Sequence, residues 1–410
     1  MTTATHALSA CRSAFPILGR IVDGKTMAFF DGPAGTHVPQ AVIDAISNYY
    51  SHFNSNCHGE FTISRESDQI VHETRERVAT FLNAPSWKEI SFGPNMTTLA
   101  FNLSRALTRT MKQGDEVVIT QLDHEGNRSP WMTLAEAGAV IKEVALRPDG
   151  TLDPEDLARK IGPRTRLVAI GYASNALGTV NDLALARRLS KAVGAWLLVD
   201  AVHAAPHFVM DVAALDTDFL LCSAYKWYGP HIGILYARPG LLEELPTYRL
   251  RTQDPAAPFR IETGTLNHAC LAGVGAAVAF LAGYGEGATL RERLVCTMTA
   301  LEAQERALAK SYYDQVRAIP GVTVWGPDFS AAHRAPTVSI TVKGVNSHEV
   351  ARRLGDRGVA VWDGHFYAAR CIEVLGLESQ GGVVRSGMSM YTQADEVQRL
   401  VDGVAAAAKG

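Results

Sequence analysis

Between about residues 89 and 236 the chain alternates short apolar or β-branched runs with longer helical segments, and this alternation limits what it can fold into. The spacing predicts strands over 89–92, 116–120, 140–144, 167–172, 196–200, 219–223 and 232–236. One connecting helix is explicit. Asn181 or Asp182 can cap its first amides, Leu185 and Leu189 share a face, and Gly194 stops it. Strands separated by helices need crossover connections, so the expected fold class is α/β, with a mainly parallel seven-stranded sheet covered on both faces. Such sheets bind ligands beyond the carboxyl ends of their strands, and the residues there are the ones to inspect.

Beyond this region, a long helix is expected over 288–319. A smaller α+β unit follows, with strands at 337–342, 359–362 and 383–390, a helix capped by Ser347, and a last helix from Ala394 to about Ala407. The expected organisation is residues 1–30 packing near the small domain, 31–287 as the large domain and 288–410 as the small one. With 39 Lys and Arg against 42 Asp and Glu, the net charge is −3, without the basic surplus of a nucleic-acid binder. No basic leader precedes an apolar run, and no apolar stretch is long enough to span a membrane. The six cysteines, at 11, 57, 222, 270, 296 and 371, form no metal-ligand spacing, so no metal is expected. Reduced thiols in a cytoplasm are the expectation.

Lys226 follows an apolar strand directly; taken alone it reads as a solvated surface lysine. Asp200 closes the preceding strand, and a carboxylate ending so apolar a run needs a cation or donor. On adjacent strand ends the two would face one crevice. That arrangement suits pyridoxal 5′-phosphate, which needs a lysine for its aldehyde carbon and an acid for its pyridine nitrogen. Gly93-Pro94-Asn95-Met96-Thr97-Thr98 opens a helix after a strand, where free amides and hydroxyls suit a phosphate. His124 can stack on the ring, and Asn175 can donate to its hydroxyl. Each signal is weak singly; together they satisfy every group of one cofactor.

These segments make the chain resemble fold-type-I pyridoxal-phosphate enzymes of the class V aminotransferase and cysteine desulfurase family. In Ser223-Ala224-Tyr225-Lys226-Trp227-Tyr228-Gly229-Pro230 the resemblance gives Lys226 the cofactor bond. It gives Asp200 the pyridine nitrogen, His124 the stacking role and Asn175 the ring hydroxyl. Ser223 and the amides of Asn95 and Met96 would hold the phosphate. His203 stands where the family usually has glutamine. Thr265, in Glu262-Thr263-Gly264-Thr265, would reach the phosphate of a second subunit, which implies a homodimer with shared active sites. His58, in Asn56-Cys57-His58-Gly59, lies on another loop directed at the neighbouring site. Arg385 matches the arginine that grips the substrate carboxylate, an assignment its apolar flanks Val383, Val384 and Met388 favour independently. Ala34 and Gly35 would lie over the same end of the substrate.

One segment departs from the family. Where a cysteine desulfurase carries its sulfur-accepting thiol, Trp362-Asp363-Gly364-His365-Phe366-Tyr367 places Tyr367, and a phenol cannot form a persulfide. Cys371 lies four residues on, in an apolar helical setting unsuited to a reactive thiolate. The expectation is therefore a lyase acting on a β-substituted amino acid, a C–S lyase without persulfide relay. Tyr367 or His365 is placed to protonate the leaving group. An aminotransferase, an epimerase and a non-catalytic cofactor-binding protein remain as alternatives.

Overall fold

The computed structural model describes Leu8 and residues 10–409. Seven strands form one sheet: Ile90–Gly93, Glu116–Thr120, Val140–Val144, Thr165–Gly171, Trp196–Asp200, Phe219–Ser223 and Gly233–Ala237. From one edge they run first, seventh, sixth, fifth, fourth, second, third. Only Gly233–Ala237 opposes its neighbours, the strands Phe219–Ser223 and Ile90–Gly93. The central strands are mostly apolar because successive side chains enter two different cores, whereas the edge strand Val140–Val144 carries Lys142 and Glu143. Val118, Val168, Ile170, Leu197, Val199, Leu220 and Ile234 face one. Val117, Ile119, Leu167, Ala169, Leu198, Leu221 and Leu235 face the other, with Leu99 and Leu103 of helix Met96–Thr108. Asp182 caps helix Leu183–Ala192 by accepting from the Leu185 amide, worth about 1 kcal/mol.

A second sheet is fully antiparallel, in the order Val322–Trp325, Thr337–Val342, Val383–Gly387, Trp362–Gly364. Helix Leu290–Val316 serves both layers. Its Leu294, Met298 and Leu301 enter the large core, and its Ala309, Tyr312 and Val316 enter the small one. The N-terminal segment also divides: Phe15 packs against Tyr228, Phe280 and Tyr391, whereas Ala28 and Phe30 join the small core.

Three local expectations are corrected. The strand expected over 359–362 is two, because Val359–Ala360 pairs with Ala28–Phe29 before Trp362–Gly364 turns to Val383–Arg385. The strand expected to reach Met390 stops at Gly387, after which the Met388 amide leaves the ladder for Pro336 O. Asn346 caps helix Ser347–Gly355, while the Ser347 hydroxyl donates to Gly382 O. Among the described residues, no helix is long and apolar enough to cross a membrane.

Candidate active site

The carboxyl ends of the large sheet open on a cavity of about 760 Å³. Strand register aligns Gly171 with Asp200 and Asp200 with Leu221, so the loops after three neighbouring strands meet there. Lys226 ends a 3₁₀ turn that follows Ser223. Its buried Nζ donates to Pro33 O at 2.6 Å and Ala34 O at 2.9 Å. Burial, then the Arg385 charge, lowers its pKa to about 7, against the pull of Asp200. The amine is thus available as a base near neutral pH.

Asp200 is buried, and its Oδ1 accepts from the Val202 amide at 2.9 Å. Burial raises its pKa to about 6, with the Val202 amide and Lys226 acting against the rise. No cation lies within ion-pair distance among the described residues, so a protonated pyridine nitrogen would supply the missing counter-charge. His124 accepts from the Gly126 amide through Nδ1 at 2.8 Å. Burial, then Lys226 and Arg385, lowers its pKa to about 4. A neutral ring fitted for stacking results. His203 is held by Thr337 Oγ1 at 2.9 Å through Nε2, and its Nδ1 is buried without a partner.

Asn95 caps helix Met96–Thr108, its Oδ1 accepting from the Thr98 amide. The Met96 amide donates to Ser223 Oγ at 3.0 Å, which couples the helix start to the neighbouring strand end. Gly233 permits the approach: a Cβ there would lie 2.2 Å from Asn95 C. These groups, with Thr97, build an anion cradle at a helix start.

Arg385 is buried with no carboxylate in ion-pair range among the described residues. Its Nη1 donates to Asn175 O at 3.0 Å, its guanidinium carbon stands 3.9 Å from the Phe366 ring centre, and its Nε has no partner. Burial lowers its pKa to about 9, which leaves it charged at neutral pH. A desolvated, unpaired fork of this kind is built to receive a carboxylate. Asn175 is partly engaged already, since its Nδ2 donates to Phe366 O at 2.9 Å.

Of the residues expected at the site, Lys226, His124, Asp200, Asn95, Met96, Asn175, His203, Ser223, Arg385, Ala34 and Tyr367 line the cavity. Gly35 lies behind it, against the Tyr225 ring. His365 is also outside the lining, and its Nδ1 accepts from the Tyr367 amide. Thr265 and His58 are exposed elsewhere on the single chain. Glu262 anchors the Thr265 segment through a buried bidentate pair with Arg75, both bonds 2.7 Å.

Sequence reasoning missed Asp123. It is buried beside Asp200 and accepts from the Gly171 amide at 2.9 Å and from Asn127 Nδ2 at 3.1 Å. Burial, then the Asp200 charge, raises its pKa to about 7. Gly171 makes room for it, because a Cβ there would lie 2.5 Å from Asp123 Oδ1. Its signal was the same as that of Asp200: a carboxylate just past an apolar strand. The aromatic wall of Trp362, Phe366, Tyr225 and Phe101 was also missed, since it gathers from three separate segments. Phe366 and Tyr367 are consecutive left-handed residues, at φ 52° and 59°. Strain of this kind costs on the order of 1–2 kcal/mol per residue. It persists only where neighbours hold the turn.

The family model described as aminotransferase class-V matches residues 28–400. A cysteine desulfurase of Salmonella choleraesuis is 33% identical over 417 residues, covering 98% of each chain. Among solved structures, the apo cysteine desulfurase of Thermococcus onnurineus superposes with a TM-score of 0.86 at 28% identity, over 97% of each chain. A cysteine desulfurase of Escherichia coli in an S-sulfonic acid form gives 0.85 at 27% identity, over 98% of each.

Proposed function

The chain belongs to the class V aminotransferase family, and on that premise we propose that it is a lyase cleaving a C–S bond at the β-carbon of an amino acid, without a persulfide relay. Pyridoxal phosphate is the cofactor of this family, and the chain is a pyridoxal-phosphate-dependent enzyme. When bound, the protonated pyridine ring accepts the electron pair released at the substrate α-carbon.

The residues divide the work. Lys226 Nζ would hold the aldehyde carbon until the substrate amine displaces it, and the freed amine would take the α-proton, a task suited to an amine with its pKa lowered to about 7. Asp200 would keep the ring nitrogen charged, and neutral His124 would pack against the ring. Ser223, Thr97 and the first amides of helix Met96–Thr108 take the phosphate. His203 offers Nδ1 to the ring oxygen. Arg385 orients the substrate through its carboxylate. Tyr367, which lines the cavity, is placed to protonate the leaving group, whereas His365 lies outside the lining.

The observation that carries the persulfide-free reading is the placement of the thiols. None of the six cysteines lines the cavity. Cys371 is fully buried, and desolvation pushes its thiol up to about 12, so it is neither reachable nor ionised. Tyr367 occupies the rim instead. We also propose a homodimer in which Thr265 and His58 serve the partner's site. The segment bearing His58 exposes Tyr50, Phe61 and Ile63, an apolar surface suited to burial between subunits. Six unpaired cysteines fit a reducing cytoplasm.

The test is to give the loaded enzyme a panel of amino acids and S-substituted cysteines, with no amino acceptor. Keto acid, ammonia and released thiol or sulfide are followed together. A lyase turns over repeatedly, in wild type and Cys371→Ala alike. Stalling after one turnover would identify a transaminase instead, and sulfide release lost in Cys371→Ala would restore a persulfide step.

A further inference from the structure

Arg385, Asn175 and Phe366 form a closed triangle joining the two layers of the molecule. Arg385 Nη1, on the small sheet, donates to Asn175 O at 3.0 Å, in the loop after a large-sheet strand. Asn175 Nδ2 donates to Phe366 O at 2.9 Å. The Phe366 ring then lies on the Arg385 guanidinium, 3.9 Å from its carbon, and closes the circuit. Phe366 and Tyr367 hold left-handed backbone that neither residue type favours. The following residue is tied down as well, for Tyr367 O accepts from the Glu125 amide at 2.6 Å. His365 closes the turn locally, accepting from the Tyr367 and Ala368 amides, while Arg385, Asn175 and Glu125 tie it to the cavity wall.

We propose that Phe366 is a positioning residue that couples carboxylate binding at Arg385 to the placement of the 365–368 turn, and so of Tyr367, over the cavity. The inference rests on the reading of Arg385 as the carboxylate site. A carboxylate on the free edge of the fork, at Nε and Nη2, fixes the guanidinium plane. The plane is the surface on which Phe366 packs, and the ring in turn holds the strained turn closed. A substrate carboxyl group is thereby read twice, once for affinity and once to set Tyr367.

Hydrogen exchange of the amides of residues 364–369 in the loaded enzyme, with and without propionate at constant ionic strength, tests this coupling. In wild type, propionate is expected to slow exchange of the turn. Phe366→Leu is expected to exchange about tenfold faster and to lose the propionate response. Asn175→Ala should behave likewise by a different route, and Phe366→Tyr, which keeps a ring, should restore the response. Arg385→Lys should lose it too. Propionate protection equal in wild type and Phe366→Leu would overturn the coupling while leaving Arg385 as the carboxylate site. No protection in wild type would overturn both. With an active substrate, the coupling lowers kcat in Phe366→Leu by more than it raises KM, whereas a merely structural contact would move neither selectively.

Discussion

The rim of the large sheet and the turn over residues 362–368 face the same cavity but are built in opposite ways. At the rim, Asp200 ends one strand and Lys226 ends the turn after its neighbour, each fixed by backbone partners. In the turn, Trp362 is 51% exposed and Tyr367 68% exposed, and two adjacent residues adopt left-handed backbone. Rigid strand ends suit groups that must hold a cofactor within fractions of an ångström. A strained, exposed turn suits groups that select or release a substrate. On the proposed reading, the sheet fixes the cofactor chemistry, while the small-sheet turn laid across it sets the fate of the substrate.

Three changes can break or sharpen this contrast, in descending order of effect. Asp200→Asn keeps the shape and the Val202 contact but removes the charge facing the ring nitrogen. It is expected to lower kcat about a hundredfold while the cofactor stays bound; full activity in the variant would show that the rim charge is dispensable. The second change concerns pH. Lys226 titrates near 7 when folded and near 10.5 when unfolded, so the unfolded chain binds more protons between those values. Stability of the cofactor-free protein from this group therefore rises with pH from about 7 to about 10. Lys226→Met should be stabilised most at pH 7 and below, with its advantage in Tm fading towards pH 10; a pH-independent difference would contradict the buried, weakly basic amine. The smallest effect belongs to the turn. Tyr367→Gly relieves left-handed backbone while losing little packing, so stability is expected to rise by up to about 1 kcal/mol as turnover falls. A loss of stability would mean the turn is not strained.

The same contrast decides what could be read from sequence. The strands over 116–120, 140–144, 196–200 and 219–223 were legible to the residue, because short apolar or β-branched runs between helices leave few other folds. Lys226, Asp200, His124 and Ser223 were legible because they close those strands or lie within a few residues of their ends. The split at Val361 was not, since it depends on a partner more than 300 residues earlier, Ala28–Phe29. Asp123 carried a signal of the same kind as Asp200, a carboxylate beyond an apolar strand. The triangle of Arg385, Asn175 and Phe366 escaped because its members are up to 210 residues apart and no local pattern joins them. Tyr367 shows the middle case: its identity was readable as a departure, and its strained geometry was not.

Lys226 is proposed to be the residue that bonds the cofactor opposite Asp200. Reducing the loaded enzyme with borohydride and locating the pyridoxyl mass by peptide mass spectrometry tests this directly. The expected result is a single adduct on Lys226. An adduct on any other lysine, or none while the visible absorbance of bound cofactor is present, would contradict it.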